Sequence, residues 1–306
     1  MISNLRYFLL MHLIVFIWGF TGIVGKLIDL QAIPIVWYRV FIAACSLGVF
    51  MVFTKKSFKL SRKEFVQLFV VGCIVVAHWI TFYQAIQMST ASLGILCLST
   101  ATLHVTWLEP LMLKKKFSWL EFLFGLLVIY GIYFVSGDFS ITELYAVFTG
   151  LLSAFFAALF AVSNARLAEE IPTVKITFYE MAFGFFAISV FLLLSGGYST
   201  DIVPSSSSDI LWLLFLGIIC TSFAFLVTID IVKRLGAFTV SLSINLEPVY
   251  TIILAIIILN EHEMLNLNFY LGALLIVLVV CMNAIVKYYL NRKNNIHQKQ
   301  LSNGIQ

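Results

Sequence analysis

Apolar residues are arranged along this chain in ten long stretches that short polar connections separate. Each stretch holds about 20 mainly apolar residues, the length of helix needed to cross a hydrocarbon core of ~30 Å at 1.5 Å per residue. The stretches cover residues 7–28, 34–53, 65–87, 91–113, 119–136, 144–165, 174–196, 210–232, 238–259 and 268–288. This pattern predicts an all-α polytopic membrane protein with ten transmembrane helices.

Lysine and arginine fall almost entirely in alternate connections between these stretches. Of the 19 basic residues, all but Lys26 and Arg39 lie in every second connection or in the terminal segments. They are Arg6, Lys55, Lys56, Lys59, Arg62, Lys63, Lys114, Lys115, Lys116, Arg166, Lys175, Lys233, Arg234, Lys287, Arg292, Lys293 and Lys299. Because basic loops stay on the cytoplasmic side, we predict a multi-pass protein of the cytoplasmic (inner) membrane with both termini cytoplasmic.

The composition supports a membrane protein and argues against several other classes. Hydrophobic residues make up 61% of the chain and charged residues only 11%, far from the averages of soluble domains. The net charge is +4. The basic residues lie in short loops, where they are suited to contact lipid headgroups rather than nucleic acid. No metal-ligand spacing, cofactor motif or catalytic motif occurs, and His262-Glu263 lacks the second histidine of a zinc protease. We therefore expect no enzyme, no metal and no cofactor.

The chain divides into two halves that are predicted to be inverted repeats. Five stretches per half is an odd number, so related halves must enter the membrane from opposite sides. We place the repeats at residues 7–136 and 144–288, followed by a polar cytoplasmic tail at 291–306. Inverted repeats are typical of transporters that work by alternating access. The matching positions are Pro34 and Pro172, Tyr38-Arg39 and Tyr179-Glu180, Gly72 and Gly217, and Gly125 and Gly272.

Both halves contain short motifs that point to a known family. The motifs are Trp18-Gly19, Lys26, Pro34, Arg39, Gly236-Ala237, Leu246-Glu247-Pro248, Asn260-Glu261 and Gly272. From about residue 8 to residue 286, the chain resembles the EamA-type transporters of the drug/metabolite transporter superfamily. The resemblance implies a secondary transporter that exports amino acids or similar metabolites, with a small-molecule solute, the lipid bilayer and, in a proton-linked mode, protons as partners.

Two ionisable residues near the starts of predicted helices are candidates for a solute cavity or gate. Such a residue is costly in a membrane and usually faces a cavity or a partner. The planar guanidinium of Arg39 suits a carboxylate, although it could instead snorkel to the interface. Glu180 is its counterpart in the other half, and the neighbouring Tyr179 is a candidate for the same cavity or gate. The depths of Arg39 and Glu180 differ by roughly 10–15 Å at the helical rise, which argues against a direct ion pair.

The Glu247-Pro248 pair lies near the middle of the ninth stretch. Proline is predicted to kink this helix and to free the carbonyl of Ile244. Asn245 and Glu247 then become candidate polar contacts for the solute, because transporters place binding groups at broken helices. The carboxyl group could also take up a proton. A kink that serves only packing is the alternative.

The third and fourth stretches contribute His78, Trp79, Tyr83 and His104 to the candidate cavity. A histidine at mid-span can contact solute or relay protons, or simply bond a neighbouring carbonyl. Trp79 and Tyr83 are one helical turn apart and share a face, where they would form the wall of a solute cavity or pack against neighbours.

Other functions and other charged residues have their own predictions. A receptor or assembly partner would have a packed interior without a polar cavity. An enzyme acting on lipid headgroups would need ionisable residues clustered at one interface, whereas here they are scattered. Glu261 and Glu263 are interpreted as interfacial charge. The sequence leaves open the solute, the direction of transport, proton coupling against downhill transport, and the oligomeric state.

Overall fold

The regular secondary structure is entirely helical within the residues described by the computed structural model, which are 2–135, 140–235, 240 and 243–303. Gly236 and Ala237 of the EamA-type motifs lie outside these residues. The helices are α1 (Ile2–Leu27), α2 (Ala32–Phe53), α3 (Arg62–Met88), α4 (Ala91–Leu98), α5 (Ala101–Leu113), α6 (Trp119–Val135), α7 (Ile141–Leu167), α8 (Thr173–Ser195), α9 (Ser207–Leu214), α10 (Ala224–Leu235), α11 (Glu247–Ile258) and α12 (Leu267–Asn303). Short 3₁₀ turns cover Thr200–Ile202 and Glu261–Glu263, and a π-helical segment covers Phe215–Phe223.

Seven helical segments among the described residues are long and apolar enough to cross a membrane. They are Leu5–Leu27, Ala32–Phe53, Arg62–Met88, Ala91–Leu113, Ile141–Leu167, Thr173–Ser195 and Ser207–Leu235. Shorter apolar helices cover Trp119–Val135, Glu247–Ile258 and Leu267–Asn283. Seven of the ten predicted stretches thus coincide with long helices and three with shorter ones. The chain is a polytopic, all-helical membrane protein.

The fourth apolar segment is interrupted between α4 and α5. A turn at Ser99 and Thr100 separates the two helices. The Ser99 hydroxyl donates to the carbonyl of Ile95 at 3.2 Å, and the Thr100 hydroxyl donates to that of Cys97 at 2.7 Å. Hydroxyl groups that bond nearby carbonyls in this way compete with the regular helical pattern, which accounts for a break that contains neither glycine nor proline.

A second interruption precedes α11 and corrects the prediction for Pro248. We expected a kink inside a continuous helix, but residues 245–246 form a turn and α11 begins at Glu247. Pro248 therefore sits in the first turn. The N–H that proline lacks would have no helical partner there in any case. The segment is broken just before the proline rather than bent around it.

A wide π-helical segment joins α9 to α10. Its residues bond carbonyls five positions back: the hydroxyl of Thr221 donates to Leu216 at 2.8 Å, and that of Ser222 donates to Gly217 at 3.1 Å. Ser222 also donates to the carbonyl of Ala43 on α2 at 3.3 Å. Segments of this type often occur at functional sites.

Helices of the first half pack against helices of the second half. Helix α3 packs on α7 and α8, while the segment from the π turn to α10 packs on α1 and α2. Glycines permit close approach. A β-carbon on Gly72 would lie 2.8 Å from the carbonyl oxygen of Glu180, and one on Gly217 would lie 3.3 Å from that of Arg39. Helix α2 also packs on α8, and α6 packs on α12.

The helix ends form two surfaces of different charge. The basic end holds Lys56, Lys63, Lys175 and Lys233. The acidic end holds Asp29, Asp201, Asp209 and Glu261. Side chains bridge the two halves at each end.

The last helix runs further than the sequence analysis predicted. Residues 291–303, assigned to a polar tail, continue α12 as far as Asn303. No glycine or proline interrupts this stretch before Gly304, so nothing in its backbone chemistry ends the helix earlier. Residues 304–306 lie outside the described part of the chain.

Candidate functional site

Arg39 lies inside the helix bundle, seven residues after the first residue of α2, and is only 3% exposed. Its Nε donates to the hydroxyl of Thr221 at 2.9 Å, and its Nη1 donates to the hydroxyl of Tyr83 at 3.1 Å. The guanidinium carbon lies 3.8 Å from the ring centre of Trp79, within the range of a cation–π contact. Three uncharged groups therefore hold the guanidinium, which does not extend to the protein surface. We call Arg39, Trp79, Tyr83 and Thr221 the arginine cluster.

The charge of Arg39 has no carboxylate in contact with it among the described residues. The ion pairs found there are Lys63–Glu170, Lys115–Glu109 and Lys175–Glu64, all involving lysine. A guanidinium carries five N–H donors, and only two are used by the hydroxyl groups of the cluster. Unused donors and an unneutralised charge are what an incoming anionic group requires.

The carboxyl group of Glu247 lies within electrostatic reach of the arginine cluster. The charge of Arg39 acts electrostatically on its carboxyl group, but the two side chains form no ion pair. Glu247 lies deep in the protein and its side chain is partly accessible. Its position at the first residue of α11 follows directly from the break, and Asn245, also partly accessible, lies in the turn itself.

His78 sits beside the cluster and is fully engaged with α7. Its Nδ1 lies 2.8 Å from the Ser153 hydroxyl and 3.1 Å from the Ser153 carbonyl oxygen, and that hydroxyl lies 3.0 Å from the carbonyl oxygen of His78. The charge of Arg39 acts on the imidazole. This geometry matches the alternative in which the histidine bonds a neighbouring helix, and it links α3 to α7.

Glu180, the counterpart of Arg39 in the predicted repeat, has different surroundings. It lies seven residues after the first residue of α8 and is 1% exposed. Asn164 Nδ2 donates to its Oε2 at 3.4 Å, while its Oε1 has no partner among the described residues. Glu180 forms no ion pair with Arg39, as its predicted depth suggested.

Tyr179 and His104 lie apart from the arginine cluster. The Tyr179 hydroxyl donates to the carbonyl of Phe58 at 2.5 Å, near the basic end. The ring of His104 packs at 5.5 Å against Phe155 and at 6.2 Å against Trp107. Of the nine predicted cavity residues, the structure places Arg39, Trp79 and Tyr83 in direct contact, with the others near them or elsewhere in the bundle.

Thr221 is a member of the cluster that sequence analysis did not identify. A single threonine in an apolar stretch gives no signal by itself. Its neighbour Gly217, matched to Gly72 in the repeat, was the available clue, because a glycine of one half approaches the carbonyl of Arg39. Ser153, the partner of His78, carried no sequence signal at all.

A second missed feature joins the halves at the acidic end. Glu261 is 3% exposed, so the prediction of interfacial charge is wrong for it. Its carboxylate accepts from the backbone N–H groups of Ala91 at 2.6 Å and Ser92 at 3.1 Å, the first residues of α4. Lys26 interacts with Glu261 electrostatically and donates to the carbonyl of Ser89 at 2.5 Å. The Asn260-Glu261 motif was the sequence signal for this contact.

Asp209 makes a similar bridge between the halves. Its carboxylate accepts from the backbone N–H of Asp29 at 3.0 Å and from both the N–H and the hydroxyl of Ser206, at 3.1 and 2.7 Å. It therefore caps its own helix while it holds the connection between α1 and α2. The acidic end is thus closed by carboxylates bound to backbone N–H groups.

Comparison with known proteins identifies the family. Residues 5–137 and 144–285 each match the EamA-like transporter family. The chain is 23% identical to the uncharacterized transporter YoaV of Bacillus subtilis (strain 168) over 87% of its own length and 92% of that protein. It is 24% identical to the uncharacterized transporter YdfC of the same organism over 79% of each. A solved crystal structure superposes with a TM-score of 0.64 at 14% identity, over 92% of this chain and 97% of that one. The chain belongs to the EamA-like family of membrane transporters.

Proposed function

We propose that this protein is a secondary transporter that exports a small zwitterionic metabolite, such as an amino acid, by alternating access. Arg39 binds the carboxylate of the solute and Glu247 receives its ammonium group. Trp79 and Tyr83 hold the guanidinium in place and form part of the wall of the binding space. The proposal includes ten transmembrane helices in two inverted five-helix repeats.

The observation that carries this proposal is the buried guanidinium of Arg39, which only neutral groups hold. Burying a charge costs several kcal/mol unless a partner compensates it, and the hydroxyls of Tyr83 and Thr221 compensate it only in part. A carboxylate can accept two parallel N–H bonds from a guanidinium. Glu247 lies within electrostatic reach of Arg39 but forms no ion pair with it, so its carboxyl group remains available to the ammonium group of such a solute.

The packing of the helices supports the inverted repeat. In the proposed repeat, helix segments one to five correspond to segments six to ten. The contact between segments three and six then corresponds to the contact between segments eight and one. In the same way, the contact between segments three and seven corresponds to that between segments eight and two, and all four contacts are present. Arg39 and Glu180 both lie seven residues into their helices. Each presents its carbonyl to a glycine of the opposite half, Gly217 or Gly72.

The interrupted helices give independent support. In the proposed repeat, the fourth segment corresponds to the ninth, and these segments are broken at residues 99–100 and 245–246. Broken helices near the middle of a membrane are a common place for solute sites, because they free backbone groups for binding. The second break lies next to Glu247, which we assign to the solute.

The contacts at the two ends suit alternating access. At the acidic end, Glu261 and Asp209 of the second half bind backbone of the first half. At the basic end, Lys175 of the second half pairs with Glu64 of the first at 3.0 Å. Opening either end requires only its own set to break. The positive-inside rule makes the basic end cytoplasmic, with both termini on that side.

The test is a comparison of extracellular metabolites from cells that produce the intact chain or its Arg39→Ala variant in equal amounts. Arg166→Ala is the matched control, because Arg166 is exposed at the end of α7. We expect a small set of zwitterionic solutes to accumulate outside cells with the intact chain and the Arg166 variant only. Equal accumulation with Arg39→Ala would remove Arg39 from solute binding, and no accumulation with any chain would argue against export.

A further inference from the structure

Glu180 has too few hydrogen-bond partners for a buried charged group. An ionised carboxylate offers about four acceptor sites. Only Asn164 Nδ2 donates to this one, at the long distance of 3.4 Å. Both Oε1 of Glu180 and Oδ1 of Asn164 are buried without a donor among the described residues. Buried polar atoms without partners are rare and call for an explanation.

No cation among the described residues compensates the carboxyl group of Glu180. Lys175, on the same helix, pairs with Glu64 of α3. Arg39 of α2 is bound within the arginine cluster. Arg166 of α7, the helix that carries Asn164, is exposed, and so are Asp230 and Lys233 of α10 at the basic end. No charged side chain in the described part of the chain acts electrostatically on the carboxyl group.

Among the described residues, no side chain of the neighbouring helix α3 forms a hydrogen bond with the carboxyl group. Helix α3 approaches at Gly72, where a β-carbon would stand 2.8 Å from the backbone oxygen of Glu180. Cys73, the next residue, is half-buried and supplies a thiol, which is a weak donor. A charged carboxylate inside a membrane without such compensation is strongly disfavoured.

We propose that Glu180 and Asn164 form a proton-binding site that couples the transport cycle to the proton gradient. A proton from water at the basic end binds to Oε1, which makes the carboxyl group neutral and turns this oxygen into a donor. Oδ1 of Asn164, which has no donor among the described residues, is the acceptor for this new donor. The same side chain already bonds Glu180 through its Nδ2. Release returns the same proton to water when the site opens to the opposite end.

A proton fits this site better than a metal cation. Sodium sites in transporters use backbone carbonyls freed by unwound helices. Glu180, by contrast, lies within the uninterrupted helix α8, from Thr173 to Ser195, whose carbonyls there are engaged. One carboxyl group and one amide oxygen are too few ligands for a hard cation. The coupling role rests on the proposed transport function, whereas protonation of the site does not.

The test is infrared spectroscopy of the purified protein in lipid, which detects the carbonyl stretch of protonated carboxyl groups as the pH changes. We expect a band at neutral pH that titrates, is lost in Glu180→Gln and is unchanged in Glu109→Gln, whose carboxylate pairs with Lys115 near the surface. Glutamine has the shape of the protonated acid, so the fold should persist. Asn164→Ala keeps the carboxyl group and should shift the band, because it removes the hydrogen bond.

A spectrum that is identical in the intact chain and in Glu180→Gln would overturn the proposal, as would an unshifted band in Asn164→Ala. Transport separates this outcome from failure of the proposed function. Once the solute is identified, Glu180→Gln should still exchange it downhill and lose its response to a pH gradient. Loss of downhill exchange as well would assign Glu180 to solute binding or folding instead. A chain that transports nothing would contradict the proposed function and leave the infrared result standing.

Discussion

Replacing Glu261 by glutamine tests whether the acidic end is closed by the contact seen here. The carboxylate binds two backbone N–H groups at the start of α4, at 2.6 and 3.1 Å. Glutamine keeps only one acceptor oxygen, so one buried N–H loses its partner. A hydrogen bond to a charged group contributes about 1.5–3 kcal/mol. A negative charge at a helix N-terminus adds about 0.3–1 kcal/mol. We therefore expect Glu261→Gln to lower stability by about 2–4 kcal/mol.

Thermal unfolding of the purified protein measures this loss. One kcal/mol shifts the Tm of a chain this long by roughly 2 °C, so we expect a decrease of roughly 4–8 °C. Scans at one heating rate keep the comparison valid if unfolding is irreversible. Glu263→Gln is the matched control, because Glu263 lies two residues away and is exposed. Its Tm should stay within about 1 °C of the intact chain, as expected for an exposed site.

Two results would refute this reasoning. An unchanged Tm in Glu261→Gln would mean that the carboxylate does not cap α4. Equal losses in the two variants would mean that the effect reports the charge of the whole connection rather than the buried contact.

Three further predictions concern the arginine cluster and the helix packing. Arg39→Lys keeps the charge but loses the paired donors. The half-saturation concentration for solute should therefore rise about 10- to 100-fold, the equivalent of one charge-assisted hydrogen bond. Unchanged uptake kinetics would exclude a two-point contact. Glu247→Gln should weaken transport of solutes that carry an ammonium group and spare analogues without one, as measured by competition; an equal loss for both would place Glu247 outside the solute site. Gly272→Leu should lower thermal stability by about 1–3 kcal/mol through overpacking, since a β-carbon there would lie 3.0 Å from the carbonyl oxygen of Gly131. The exposed Leu271→Val variant should change little, and equal effects would argue against this crossing.

The membrane architecture was largely predictable from the sequence because lipid imposes a simple physical requirement. Apolar stretches of membrane-spanning length leave few alternatives to helices, and seven of the ten coincide with long helical segments. Helix breaks were harder to predict. The one at Ser99 and Thr100 depends on hydroxyls that bond nearby carbonyls, a pattern that serine and threonine follow in many unbroken helices.

The site was predictable where the residue itself is unusual in lipid. Arg39, Glu180 and Glu247 stand out because an ionisable group inside an apolar stretch requires compensation. Their partners were not predictable, since Thr221 becomes one only after helix rotation and the π segment have been fixed. The capping role of Glu261 likewise depends on a long-range approach to α4, which no local pattern encodes.

Counterflow in proteoliposomes tests the central claim, that the protein is an alternating-access carrier whose solute binds Arg39. Vesicles with the purified intact chain, Arg39→Ala or Arg166→Ala are loaded with excess unlabelled amino acids and diluted into a trace of the same mixture carrying an isotope label. The account predicts that one or a few labelled amino acids accumulate transiently above their external concentration with the intact chain and with Arg166→Ala, and none with Arg39→Ala. Equilibration without transient accumulation would indicate a channel, and accumulation with Arg39→Ala would contradict the assigned site.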